Sequence, residues 1–406
     1  MENKPELLSP AGDFERLEMA LHFGADAVYL AGKQFGMRAS AGNFEDDALR
    51  DAVKLAHSMG RKVYVTCNTL PRESELSALP AFLELLEESK ADAAIVADMG
   101  VMELCGKYAP HVPIHVSTQF GIVNSASANR LHDLGASCVV LARELSLEEI
   151  ASIRSHTPKS LRLEAFVHGA MCVSFSGRCV LSNYLTGRDA NRGECAQPCR
   201  WKYALMEEKR PGQYFPVFED SDGAHILNSR DMCMIDHLPD LINAGVDSLK
   251  IEGRMKSAAY AAAVTNAYRH ALDKAIAGKP LSPVWHDEVM KLSHREYCTG
   301  FYYGQPGQYT GDNLYFRDAM ICAVVESCGE DGEAVLTQRN RFFEGDMMEL
   351  VTNDGEPVTF RVENLRNGEN ERIDAAPHPM MELHLKLPRK ASRLSLLRKP
   401  VAEENE

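Results

Sequence analysis

The chain reads as an α/β protein: a (β/α)8 TIM-like barrel with a cysteine-rich insertion after the seventh strand, followed by a small all-β C-terminal barrel domain. Three observations predict this. Eight short apolar runs alternate with helix-like segments over roughly the first 250 residues, the beat of a closed parallel barrel. The seventh unit is abnormally long, with about 80 residues between Val167 and Ser248, and it holds a crowd of cysteines. After about residue 315 the texture changes to short alternating runs separated by turn residues.

The eight runs begin with Glu6-Leu-Leu-Ser9, Ala27-Val-Tyr-Leu30, Lys62 to Asn68 and Ala93 to Asp98. They continue with Ile114 to Ser117, Cys138 to Arg143, Leu161 to Val167 and Ser248 to Glu252. Between them lie segments with apolar residues at three-to-four spacing: Phe14–Phe23, Asp46–Met59, Ser74–Glu88, Ser125–Leu134 and Leu147–Arg154. Several end in glycine (Gly24, Gly135, Gly245), which supplies a left-handed cap. A further helix, Ser257–Ala277, closes the barrel before the linker signal Gly278-Lys-Pro. These boundaries place the barrel at 1–280 with its insertion at 168–245, a linker and motif segment at 281–314, and the β domain at 315–400.

Barrel active sites lie at the C-terminal ends of the strands. Polar residues collect there: Ser9, Asn68, Asp98, Ser117, Gln119, Arg143, Glu164, His168, Lys250, Glu252 and Arg254. Any one of them reads first as a solvated loop residue; eleven at matching positions describe a polar pocket. Lys250 and Arg254 are natural anchors for a carboxylate, and Glu164 or His168 can move protons. The bland alternative for Lys250 and Glu252 is a buried ion pair at the rim.

Eleven cysteines in a chain without a signal-peptide pattern or an apolar run long enough to span a membrane point to a reducing, cytoplasmic setting. Cys67, Cys105 and Cys138 sit in apolar runs and read as small buried hydrophobes. Cys172, Cys179, Cys195, Cys199 and Cys233 differ. Soft thiolates at close spacing, flanked by glycines, suit zinc or an iron–sulfur centre. From Cys172 to Tyr203 the chain carries five basic residues against two acidic ones, in a protein of net charge −14. A second basic stretch, Lys386 to Lys399, has six basic residues and no acidic one. It is either a solvated tail or a contact for nucleic-acid phosphates.

The motifs Glu164-x-Phe166-x-x-Gly169-Ala-Met-Cys172-x4-Gly177-x-Cys179, Asn191-Arg-Gly-Glu-Cys195-Ala-Gln-Pro-Cys199, Asp231-Met-Cys233, Leu249-Lys-Ile-Glu-Gly-Arg254 and Arg295-Glu-Tyr-Cys-Thr-Gly300 resemble those of the collagenase-like peptidase family, the YegQ/TrhP-type proteins. The resemblance runs from about residue 5 to 305. It implies an oxygen-independent hydroxylase of RNA, acting on wobble uridine of tRNA to give 5-hydroxyuridine and using prephenate. It also implies a [4Fe-4S] cluster on Cys172, Cys179, Cys195 and Cys233, with Cys199 the alternative to Cys195. The catalytic residues expected with it are Glu164, His168, Lys250, Glu252 and Arg254. The expected partners are tRNA, a small carboxylate metabolite and a protein delivering electrons or the cluster, with no membrane. Two other readings stay open. One is a peptidase, as the family name suggests, with Cys172 and His168 as its thiol–imidazole pair. The other is a non-catalytic barrel that binds RNA or a partner, its insertion held by zinc.

Overall fold

In the computed structural model, residues 4–38, 42–172, 174–201, 204–206, 214–216, 229–306 and 319–400 are described. Arg200 is described by its backbone alone, and Lys202, the 315 boundary and the acidic end at 403–406 lie outside the described residues.

Seven of the barrel strands follow in order: β1 (Glu6–Pro10), β2 (Ala27–Ala31), β3 (Lys62–Cys67), β4 (Ala93–Val96), β5 (Ile114–Val116), β6 (Ala136–Val140) and β7 (Arg162–Ala170). Two short strands, β8 (Ala204–Met206) and β9 (Tyr214–Pro216), pair within the insertion. Then come β10 (Asp231–Cys233) and β11 (Ser248–Ile251). β11 is the eighth barrel strand. It lies parallel to β1, with Glu6 opposite Ser248, and parallel to β7, with Ser248 opposite Glu164, so the sheet closes. The strands are apolar on both faces because helices wrap the outside and side chains fill the inside.

The helices in the first six crossovers are α1 (Phe14–His22), α2 (Asp46–Ser58), α3 (Leu79–Ser89), α4 (Met99–Tyr108), α5 (Ser125–Asp133) and α6 (Leu147–Ser155). Asp13, Asp98, Asn124 and Ser146 cap four of them by accepting backbone N–H bonds, which satisfies donors the helix itself cannot. The expected helix from Ser74 to Glu88 begins instead as a 3-10 turn over Glu73–Ala78, because Pro80 can enter an α-helix only in its first turn. The insertion contributes α7 (Leu181–Thr186), and the regular crossover resumes with α8 (Leu238–Asn243). The strand ends and α8 therefore reclaim both ends of the expected 168–245 insertion for the barrel.

α9 (Ala258–Ile276) is followed by α10 (Pro283–Met290) and β12 (Tyr297–Cys298). Residues 281–306 are thus packed structure. β12 extends the sheet beside β10, and Trp285 stacks on His270 with ring centroids 4.0 Å apart. No helix among the described residues is long and apolar enough to cross a membrane.

The C-terminal domain comprises β13 (Ala319–Cys328), β14 (Glu333–Gln338), β15 (Phe342–Phe343), β16 (Met347–Val351), β17 (Val358–Arg361), β18 (Arg366–Asn367), β19 (Ala375–Ala376), β20 (Glu382–Lys386) and β21 (Leu396–Pro400). Seven of these form one antiparallel sheet over their own apolar core, ordered β17-β16-β21-β13-β14-β20-β18. The domain sits on the barrel. Val324, Val351 and Leu396 pack against Met19, Phe23 and Ala262 of α1 and α9. The Asn266 amide donates to the Thr352 carbonyl at 3.0 Å.

This docking also decides the basic stretch. Arg398 is buried between Glu288 of α10 and Glu349 of β16, with Nε 2.7 Å from the Glu349 carboxylate. Lys399 pairs with Asp346, Arg389 with Asp354, Lys390 with Glu330 and Arg393 with Glu18. Of the six cations only Lys386 lacks an acidic partner among the described residues. Arg398 is thus taken up at the domain junction, while Lys390 and Arg393 stay exposed at the surface beside their acidic partners.

Replacing Arg398 by Met strands two carboxylates, although Lys291 still reaches both at 3.0 Å. The expected loss is about 3 kcal/mol in urea-induced unfolding, the scale for removing one partner of a buried pair. A variant within experimental error of wild type would show that the pairing is dispensable.

Candidate active site

A cavity of about 140 Å³ opens at the C-terminal ends of the strands. Its floor is built from inward residues of successive strands: Tyr29 on β2, Thr66 on β3, Ile95 on β4, Phe166 on β7 and Lys250 on β11. Its roof is the insertion, which contributes Cys172, Phe175, Gly177, Cys179, Asn191, Cys195 and Cys199.

The roof is seated by specific contacts. Ser176 donates its backbone N–H and hydroxyl to Glu144, at 2.9 and 3.0 Å. Arg192 grips Glu75 through two nitrogens, at 2.9 and 2.6 Å. Gly177 lies so close to the Gln119 carbonyl that a Cβ would be 2.1 Å from its oxygen. Its φ of +74° also belongs to the region glycine occupies without strain.

Lys250 donates to Glu164 at 2.7 Å, and both are buried. The ammonium also lies 4.5 Å from the centre of the Tyr29 ring. Glu252 is ringed by cations, with Arg38 at 3.7 Å and Arg143 at 4.0 Å. Burial pushes its carboxyl pKa up, but Arg38, Arg143, Arg254 and Lys250 outweigh burial and hold it below the usual value. Arg254 is buried, and burial lowers its pKa to about 10. Its nearest polar contact is the Thr66 hydroxyl at 3.5 Å, and no carboxylate lies within ion-pair distance among the described residues. A buried guanidinium so poorly compensated is a ready seat for an anion. Arg38, which strand-end reasoning missed, belongs to this group; burial favours losing its proton, but Glu252 and then Cys172 and Cys195 hold it more firmly than usual. It follows a loop after β2 that carries no motif, so only the fold reveals it.

Three expected members do not line the cavity: Glu164 lies beneath the floor on the Lys250 ammonium, and His168 and Cys233 are on the outer side. In regular alternation His168 would face inward with Glu164 and Phe166. A bulge intervenes, for Phe166 pairs with Lys250 but His168 pairs with the next residue, Ile251. One extra residue flips the face. His168 therefore points outward, its ring nitrogens 3.2 Å from the Tyr268 hydroxyl and 3.3 Å from the Tyr297 hydroxyl. Cys233 lies opposite His168 across the β10–β7 pair and shares that side. Its sulfur is 3.7 Å from the Tyr268 hydroxyl, and burial lifts its pKa to about 11. Cys172, Cys179, Cys195 and Cys199 line the cavity together; Cys233 does not.

Below the floor, His115, Cys138 and Glu164 bring three possible ligand atoms within 4.8 Å of one another. The Lys250 ammonium on Glu164 places positive charge beside the spot a cation would take, which disfavours one there.

The model for peptidase family U32 matches residues 12–312, and that for the family's C-terminal domain matches residues 317–398. The chain belongs to peptidase family U32. Among its relatives, tRNA hydroxylation protein P1 of Bacillus subtilis (strain 168) is 36% identical over 98% of this chain and 95% of its own length. The tRNA hydroxylation protein P of Escherichia coli (strain K12) is 35% identical over 92% of each chain. A Porphyromonas gingivalis protein named collagenase is 31% identical over 76% of each. The U32 name carries an expectation of proteolysis, yet the Cys172–His168 pair is not assembled. Cys172 lines the cavity, while both nitrogens of His168 face tyrosines on the outer side.

That burial has a pH consequence. Desolvation first, then the charges of His294 and Lys256, bring the His168 pKa from 6.5 to about 3. Between those values the unfolded chain binds a proton that the folded one excludes. The stabilisation is complete above pH 6.5 and is lost as pH falls towards 3. His22, with its pKa lowered to about 4 by burial and Arg393, adds to the same slope. His168→Gln is expected to reduce the fall in unfolding free energy between pH 6.5 and 4.5. An unaltered slope would mean that His168 titrates normally.

Proposed function

We propose that this chain is an iron–sulfur enzyme that hydroxylates wobble uridine of tRNA to 5-hydroxyuridine, with prephenate as the carboxylate metabolite it requires. The observation that carries this reading is a single cavity lined by four thiols on its roof and by Arg254, a buried arginine with no ion-pair partner among the described residues. Relatives named for tRNA hydroxylation that align along nearly the whole chain add support.

The donor set fits a cluster. The thiols of Cys172, Cys179, Cys195 and Cys199 are soft ligands at one cavity, and Arg38 stands beside the sulfurs as counter-charge. When bound, a [4Fe-4S] centre supplies one-electron chemistry at the roof. The fourth ligand is Cys199 by placement in the cavity and Cys233 by resemblance to the family; the remaining three serve either way. Arg254 holds a carboxylate of the metabolite. Glu252, kept ionised by its cations, orients Arg38 and Arg143 and is available to accept a proton beside the bound substrate. Glu164 holds Lys250 in place at the floor. His168 supports the barrel wall from outside, in a positioning role.

The experiment is nucleoside mass spectrometry of tRNA from a deletion strain complemented with variants, paired with iron and sulfide analysis of anaerobically purified protein. Cys172→Ala should lose both the modified nucleoside and the iron. Arg254→Ala should keep the iron and lose the nucleoside. Unchanged 5-hydroxyuridine in the deletion strain would reject the reading. For the fourth ligand, loss of iron in Cys199→Ala but not in Cys233→Ala selects Cys199. The reverse result would mean that β10 turns Cys233 towards the cavity when the cluster is present.

A further inference from the structure

Next to the main cavity lies a second one of about 260 Å³, and Asn68, Gln119, Gly177 and Asn191 line both. Two of these wall residues have side-chain hydrogen bonds. Asn68 accepts from the Met37 N–H at 3.1 Å and donates to the Ser117 hydroxyl at 3.3 Å; Asn191 donates to the Cys179 carbonyl at 3.1 Å. The Gln119 carboxamide, by contrast, has no hydrogen bond among the described residues. The backbone that carries it is held still. Gln119 sits in a 3-10 turn, Thr118–Phe120, capped by Ser117 and closed by Gly121 in the left-handed conformation. Gly177 of the insertion presses on its backbone carbonyl.

The rest of the second cavity is of mixed character. Leu70 and Met99 are 45% and 48% exposed, and Phe120 adds an aromatic ring. Asp98 accepts the Val101 N–H on Oδ1 as the cap of α4, leaving Oδ2 without a partner among the described residues. Arg178 is exposed and has no carboxylate within ion-pair distance among the described residues. An apolar surface, an unpaired carboxamide on a fixed backbone, a free carboxylate oxygen and a cation at the edge together suit one kind of group. That group is a flat heterocycle with ring N–H and C=O groups, attached to a phosphate.

We propose that this second cavity is a subsite for the nucleotide adjacent to the one being modified. It takes a base with a ring N–H, uracil or guanine, whose edge is read by Gln119 and Asp98 and whose phosphate meets Arg178. The inference rests on the RNA reading above and adds a specificity-determining residue, Gln119, to it. Continuity of the two cavities through the Gln119 wall supports this occupant. Neighbouring nucleotides on one strand are covalently joined and would lie on either side of that wall.

The test is a double-substitution cycle on the full-length protein, purified anaerobically. Binding is followed by fluorescence anisotropy of hairpin RNAs whose loop holds a target uridine. The neighbour on each side is, in turn, uridine, N3-methyluridine or abasic. An abasic neighbour on one side should weaken wild-type binding about tenfold, the scale of one lost base contact, and N3-methyluridine should weaken it several-fold. Gln119→Ala should weaken binding to the uridine hairpin comparably and be nearly insensitive to both replacements. Arg178→Gln should lower the slope of log affinity against log salt by about one. If the Gln119→Ala and abasic penalties simply multiply on both sides, the subsite is wrong while the RNA reading stands. If the wild-type protein binds none of the hairpins at any salt, the RNA reading fails and this inference falls with it.

Discussion

The seam between β7 and β11 is the constraint on which the rest of the molecule depends. These strands are neighbours in the barrel, yet the longest excursion of the chain separates them. Their closure relies on parallel pairing from Ser248–Glu164 upward and on the buried contact between Lys250 and Glu164. A buried ion pair contributes little net stability over an apolar pair, but it penalises wrong registers heavily, since a slipped strand would bury each charge alone. The insertion leaves at the end of β7 and returns through β10, which pairs antiparallel beside it with Asp231 opposite Ala170. The roof lands over the cavity because its two ends are held at adjacent points of the rim.

The sequence made the barrel readable because its signal is repeated eight times and several helices stop at a glycine. Cavity residues on regular strand ends, such as Lys250, Glu252 and Arg254, were legible from the same periodicity. The differences have local physical causes. A strand-end position puts His168 near the rim without saying which face it takes, and a one-residue bulge at Val167 turns it outward. Cys233, expected at the cluster from the family resemblance, has its face set by its partner across an antiparallel pair that sequence does not announce. Arg38 carries no motif and owes its place to a loop.

The basic stretch near the C-terminus shows a different failure. Charge alone cannot tell a cation awaiting a ligand from one that already has a partner. Arg398 and Lys399 lie on β21, whose preceding Leu396 and Leu397 are fully packed. The carboxylates that engage this stretch come from Glu18, Glu288, Glu330, Asp346, Glu349 and Asp354, from 35 to 375 residues away and so invisible to any local window. In the insertion both cases occur, and Arg192 is held by Glu75. Arg178 has no such partner among the described residues, and its charge remains available.

That contrast shapes how the protein meets a polyanion. A chain of net charge −14 repels one from most directions. Arg178, exposed at the edge of the second cavity, has no carboxylate within ion-pair distance among the described residues, so the field is locally positive there. Such a field acts before contact and would turn an incoming polyanion towards that edge. An acidic exterior would then act as a filter on approach, with orientation selected during diffusion rather than after docking.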